Sequence, residues 1–271
     1  MKKTLVLREY EKTNFEKSIA RVQVDFSMPL LPLIHKADCK RREGQINITA
    51  LDYFETGVID PVPCDVFGEN LVYTFVGRPS YRELNIPACF IIKPAVELLQ
   101  NIFIFDSGAY YANYYSKVID NELDVNLFRI PANEEMIKRF ISLYYGDNTY
   151  YYFGIGKNTD SLEIKNSVEE FDYLMLARVV EFLKAEFDTR CRTLENILRT
   201  PISLEEYLMA VIVPNSMLKN KSFYSFQKRF GESIEIIFYE DDFGQMGATQ
   251  CNRQIDRALI KYYLEKGYIS V

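Results

Sequence analysis

The stretch from Leu71 to Arg82, Leu-Val-Tyr-Thr-Phe-Val-Gly-Arg-Pro-Ser-Tyr-Arg, most narrows what this chain can fold into. Its first six residues carry no charge and are mostly β-branched or aromatic, the composition of a buried strand. The strand must stop where Gly77 opens unusual backbone angles and Pro79 cannot extend a ladder. Arg78, held between them, is expected at the mouth of a core strand. A planar guanidinium there suits a phosphate or a carboxylate, with which it makes paired hydrogen bonds. The competing reading is structural: Arg78 pairs with an Asp or Glu and pins the turn.

Such a strand needs a core. The chain supplies one, with 271 residues of which 48% are hydrophobic. Twenty tyrosines and 19 phenylalanines, with no tryptophan, suit cavities and contact surfaces, because a buried tyrosine ring still offers a hydroxyl. A net charge of −6 disfavours broad electrostatic binding to nucleic acid, which needs many cations to displace counterions. Lys40, Arg41 and Arg42 form the densest basic run and read as a solvated loop. Five widely spaced cysteines without a Cys-x-x-Cys pair argue against zinc or a disulfide framework. No apolar run is long enough to span a bilayer or to act as a signal peptide. The expected setting is therefore soluble, reducing and cytoplasmic.

Along the chain, Thr4–Arg8 and the alternating Ile19–Phe26 read as strands, and Pro29 and Pro32 then interrupt regular structure. Leu30–His35 is an apolar run ending in the chain's one histidine. Ile48–Glu55 reads as a helix stopped by Gly57. Asp65 falls in a loop marked by Pro61, Pro63 and Gly68. Ala88–Ile92 and Ile102–Phe105 are expected as buried strands, with Asp106-Ser107-Gly108-Ala109 as a turn. Asn133–Tyr145 reads as a helix capped by Asn133 and ended by Gly146. Tyr150–Gly154 reads as a short strand or loop, and Val168–Ala185 as a helix. Leu208–Val213 and Ser233–Tyr239 are expected strands, Ser222–Phe230 and Asn252–Lys266 expected helices. Glu240-Asp241-Asp242 reads as a solvated loop. Many short strands with flanking helices predict one α+β domain over residues 1–271, with mixed, mostly antiparallel sheets.

The familiar phosphate-loop, dinucleotide-loop, nucleophile-elbow and paired-histidine zinc motifs are absent. With one histidine, no metal site built on several imidazoles can form, and no metal is expected. His35, Arg78 and Glu195 stand out, each at the edge of an apolar segment. His35 could bond a hydroxyl, Arg78 a phosphate, and Glu195 could stabilise a developing cation. Each has a structural alternative: a satisfied core histidine, a pinned turn, and a salt bridge among Arg190, Arg192 and Arg199.

The order of these segments is similar to the DarT-like branch of the ADP-ribosyltransferase superfamily. The likeness rests on Pro32–His35, a strand ending in His; Ile48–Gly57, a helix; and Leu71–Pro79, an aromatic strand ending in Arg. It continues through the uncharged Ala88–Ile92 and Phe103–Gly108, a short strand running into an Asp-Ser-Gly turn. The resemblance implies an ADP-ribosyltransferase-like fold that takes NAD as substrate and either transfers ADP-ribose or hydrolyses the dinucleotide. It implies that His35 and Arg78 contact NAD, that Tyr73 or Tyr81 stacks on nicotinamide, and that Glu195 is catalytic. Glu205 and Glu206, just before the strand Leu208–Val213, compete for that last role. A microbial toxin or anti-phage effector fits the family. Nucleic acid is conceivable as acceptor, although the charge disfavours it. The contrasting expectation is an inactive binding or sensor protein on the same fold, which would meet a protein partner through its Tyr-rich segments.

Overall fold

The strand that ends at Gly77 lies in the middle of the molecule. The computed structural model describes residues 4–12, 14–20, 27–39, 48–81, 84–116, 123–155, 189–241 and 247–270. The expected helix Val168–Ala185, the Lys40–Arg42 run, residues 21–26, Arg82 and Asp242 fall outside them. The strands are β1 (Leu33–Ala37), β2 (Val58–Ile59), β3 (Val62–Cys64), β4 (Glu69–Val76), β5 (Ala88–Ile92), β6 (Asn101–Phe103), β7 (Arg129–Ile130), β8 (Glu195–Leu198), β9 (Ile202–Ser203), β10 (Leu208–Pro214) and β11 (Glu235–Tyr239). The helices are α1 (Asn14–Ile19), α2 (Ala50–Thr56), α3 (Ser107–Tyr111), α4 (Glu134–Tyr144), α5 (Asn148–Phe153), α6 (Leu204–Tyr207), α7 (Lys221–Phe230) and α8 (Ala248–Glu265).

The main sheet runs β11-β10-β5-β1-β4-β8-β6-β7, with β3 also paired to β4, while β2 and β9 form a separate ribbon. Among the described residues only β10 and β11 pair in parallel; the other pairings are antiparallel. This is a single α+β domain. Every residue of β5 and β8 is buried, and β5 accordingly reads as an uninterrupted apolar run rather than as an alternating one.

Register decides which residues share a face. Ile34 pairs with Phe75, and Phe75 pairs with Glu195. Glu195 in turn pairs with Phe103. These side chains therefore project to one side of the sheet, and their neighbours Leu33, His35, Thr74, Val76 and Asn196 project to the other. On the His35 side, α2 and α7 pack through rings: Phe54 meets Phe90 at 5.6 Å and Phe226 at 4.6 Å. At the strand ends α5 and α8 lock onto β4. Tyr151 donates to Val76 O at 2.9 Å, and Tyr263 donates to Gly77 O at 2.9 Å.

Local chemistry accounts for the helix ends. In α2, the Asp52 carboxylate accepts from the Thr49 backbone N–H at 2.7 Å, and Gly57 closes the helix in the left-handed region at φ 76°. In α4, the Asn133 side chain accepts from Met136 N at 2.9 Å. Asn133→Ala should cost about 1 kcal/mol, read as a lower urea midpoint with an unchanged slope.

Four sequence expectations require correction. Thr4–Arg8 is not a strand; it is irregular, tied down by Leu5 N to Val66 O at 2.8 Å and by the buried Leu7. Ile19 ends a helix rather than beginning a strand, and its side chain is fully enclosed. Tyr150–Gly154 belongs to helix α5, because Asp147 caps Tyr150 N at 2.9 Å and Gly154 closes the helix at φ 68°. Those two caps outweigh the strand preference of four aromatic side chains, Tyr150 to Phe153. Asp106 to Ala109 is more than a turn: Asp106 caps α3 through Ala109 N at 2.8 Å.

Candidate functional site

After Gly77, the chain curls back over the end of its own strand. Gly77 sits at φ 66°, and its N–H donates to Pro32 O at 2.8 Å. Four residues on, Tyr81 holds φ 58°, a region that a bulky side chain enters at a cost. That bend lays the Tyr81 ring edge-on against Phe75, with centroids 5.6 Å apart. Phe75 is the register partner of Glu195, so the loop covers the face on which Glu195 lies.

Glu195 opens β8 and is completely buried. The backbone N–H of Ser107 donates to its Oε2 at 2.9 Å. Among the described residues its Oε1 has no hydrogen-bond partner, and the fully buried Ser107 hydroxyl makes no aligned hydrogen bond either. Burial, reinforced by the nearby Asp106 carboxylate, pushes the Glu195 carboxyl well above its ordinary value; the dipole of the Ser107 hydroxyl and the Ser107 N–H pull the other way. Asp106 is itself fully enclosed and accepts from Ser80 Oγ at 3.4 Å.

Two tyrosines, each partly exposed, border this carboxyl pair. Burial raises the Tyr73 hydroxyl, and Glu195 raises it further. Burial also raises Tyr81, followed by Asp106 and Glu195, with Arg190 opposing. Both phenols therefore remain protonated hydrogen-bond donors at neutral pH. Tyr73 OH lies 2.7 Å from Cys64 Sγ. The arrangement offers a carboxyl pair, two hydroxyls and two aromatic rings, a set suited to proton transfer or to countering positive charge.

Arg78 is buried at the same end of β4. Its Nη1 donates to Arg192 O at 2.9 Å, and its guanidinium lies 5.9 Å from the Tyr151 ring centroid. Arg192 donates to Gly154 O at 2.8 Å, so both guanidinium groups converge on the end of α5.

The structure does not place His35 with this group. Its ring lies on the opposite face, 5.5 Å from Tyr53 and 6.2 Å from Phe90. Nδ1 approaches Tyr73 O at 2.8 Å. A carbonyl only accepts, so Nδ1 carries the hydrogen and Nε2 presents a lone pair, without a partner among the described residues. Burial lowers the His35 pKa, partly offset by that backbone bond, which keeps the ring neutral. Glu205 and Glu206 are also apart from Arg78. They are exposed on α6, where Glu205 pairs with Arg229 at 2.8 Å. Sequence reasoning gave no role to Ser80 or Cys64. Asp106 and Ser107 were visible only as turn residues; the spacing of Asp106 to the Ala109 N–H was the available signal of a cap.

Among the described residues no three His, Cys, Asp or Glu side chains gather as a metal-holding group, and no helix is long and apolar enough to cross a membrane. No family model, curated protein or solved structure matches the chain.

Proposed function

We propose that this protein cleaves the bond between nicotinamide and ribose in NAD and passes the ADP-ribosyl group to an acceptor or to water. The observation that carries this reading is the Glu195 Oε1 atom: wholly buried, without a hydrogen-bond partner among the described residues, and bordered by Tyr73 and Tyr81. An ionised carboxylate fixed there would stabilise the positive charge that develops on the ribose as nicotinamide leaves. Tyr73 and Tyr81 supply rings for the pyridinium, an attractive pairing for a cation against an aromatic face. Arg78, at the same strand end, supplies the cation for the pyrophosphate. His35 takes no part, because it lies across the sheet. The family resemblance extends this reading to a microbial toxin or defence effector.

A second reading, a binding or sensor protein that captures such a ligand without turning it over, is favoured by the separation of His35 from Glu195. The distinguishing experiment measures nicotinamide release and NAD-induced thermal shift for wild type, Arg78→Ala and Glu195→Gln. The expected result is release by wild type and a loss of about 100-fold or more in Glu195→Gln. The thermal shift should survive in Glu195→Gln and weaken in Arg78→Ala. A thermal shift without release would favour the binding protein. Absence of both signals would overturn the NAD reading.

A further inference from the structure

A buried cation ordinarily has a carboxylate beside it, because an uncompensated charge is costly to take out of water. Arg129, in β7, is 2% exposed and has no such partner among the described residues. Asp124 and Glu69 are engaged by other arginines, Arg8 at 2.8 Å and Arg199 at 2.7 Å. The Arg129 guanidinium meets neutral groups instead. Nη2 donates to Asn101 Oδ1 at 2.5 Å, and Nη1 to Arg8 O at 2.8 Å and Asn126 Oδ1 at 3.3 Å. Nε has no hydrogen-bond partner among the described residues. The segment Leu5–Tyr10, ahead of α1, covers this group, with the Tyr10 ring centroid 5.3 Å from the guanidinium. Three side chains hold consecutive carbonyls of the segment: Asn126 Nδ2 donates to Val6 O at 2.8 Å, Arg199 Nη2 to Leu7 O at 2.9 Å, and Arg129 to Arg8 O. The segment joins no strand, and of residues 4–12 only Leu7 is buried. Such a stretch opens more easily than the sheet beneath it. Register fixes where it lies. Arg129 pairs with Phe103, and Phe103 with Glu195, so the segment covers the face that carries Glu195, two strands or about 10 Å away.

We propose that Leu5–Tyr10 is a displaceable strap over a binding site for a phosphoryl group, with Arg129 as the principal ligand and Asn126 and Arg199 beside it. In the closed form the carbonyl oxygens of Val6, Leu7 and Arg8 take the donors that phosphoryl oxygens take in the open one. A guanidinium serves both, and its planar fork suits the anion better. The anion brings Arg129 the counter-charge that a neutral carbonyl cannot, and gives Nε an acceptor. Strap and anion therefore compete for the same donors. Apparent affinity is reduced by the fraction of molecules that are closed, so loosening the strap tightens binding. The proposal does not rest on the NAD reading, which stands or falls by nicotinamide release.

Hydrogen exchange on the whole chain, with and without pyrophosphate at fixed ionic strength, reads this competition directly. A bound ligand ordinarily slows exchange. Here the Leu5 amide, bonded to Val66 O at 2.8 Å, should exchange faster at saturating pyrophosphate, by about tenfold, because the strap is displaced. Unchanged or slower exchange at Leu5 overturns the proposal. Calorimetric titration gives the second reading. Leu7→Ala removes the one buried side chain of the strap and none of the donors, and should bind pyrophosphate about tenfold more tightly than wild type. Ile255→Ala, a loss from the fully buried face of α8, should bind as wild type does. Tightening in both variants, or in neither, overturns the strap. Arg129→Gln added to Leu7→Ala should abolish the gain; a gain that survives places the anion elsewhere and overturns the site. Succinate, a dicarboxylate of similar charge, should not displace pyrophosphate from Leu7→Ala. Equal binding of the two overturns the phosphoryl assignment.

Discussion

Gly77→Ala should lower stability by about 2–5 kcal/mol, the sum of two separate penalties. The first is backbone strain, since φ is 66° and a side chain disfavours that region by about 1–2 kcal/mol. The second is steric. A Cβ on Gly77 would lie 2.5 Å from Leu31 Cδ1 and 2.9 Å from Leu31 Cβ, closer than packed atoms tolerate. Leu31 is fully buried and has little freedom to withdraw. Forced overpacking of this kind costs about 1–3 kcal/mol. For a chain of this size each kcal/mol moves the melting temperature by about 2–4 °C. Gly267→Ala is the internal control. Its φ is 73° with nothing within 4 Å of the added carbon, so it should show the strain alone. Urea unfolding of the two variants beside wild type gives the comparison. Equal losses would mean that Leu31 yields without cost, and that the turn is less tightly built than its geometry indicates.

The same glycine explains why part of the site could be read from the sequence. A buried strand that ends in Gly-Arg-Pro must turn at once, and Arg78 must emerge beside the turn; both follow from local rules, whereas the burial of its guanidinium does not. Helices α2 and α4 were legible for a similar reason: Gly57 stops the first and Asn133 caps the second, both short-range signals. The separation of His35 from Glu195 was not legible. Strand residues alternate faces, so one step along β1 or β4 moves a side chain across the sheet. Which parity applies depends on Ile34 meeting Phe75 and on Phe75 meeting Glu195, contacts set 41 and 120 residues apart by register alone. Asp106 and Ser107 were hidden for a different reason. Asp-Ser-Gly is a turn sequence in almost any setting, and only the arrival of β8 beside it gives the Ser107 N–H a carboxylate to bond.

Glu195→Gln should yield a protein that is less active and, as pH rises, increasingly more stable than wild type. The sign is set by the direction in which burial moves the carboxyl. In the folded state it titrates above its ordinary value of 4.5, chiefly through burial. Between 4.5 and the folded value, the folded state binds more protons than the unfolded one. Stability associated with the neutral acid is therefore fully present below 4.5 and is lost as pH rises through the folded value. Glutamine has nearly the same shape, keeps an oxygen for the Ser107 N–H and never ionises, so it avoids that loss. Each pH unit by which folding raises the midpoint corresponds to about 1.4 kcal/mol. The two melting curves should coincide at acid pH, separate as pH rises, and run parallel above the folded midpoint. Glu205→Gln supplies the contrast, because its ion pair with Arg229 is exposed, with side-chain exposures of 73% and 50%. Exposed pairs contribute little, and its curve should track wild type to within about 0.5–1 kcal/mol. A Glu195→Gln protein that loses stability at every pH would show that the ionised carboxylate holds the fold together. The opposite result, greater stability with lost turnover, is the pattern of a group kept for chemistry against the preference of its surroundings. It also fixes the pH dependence of the proposed reaction: nicotinamide release should rise with pH as Glu195 gives up its proton, over the same interval in which the wild-type fold weakens.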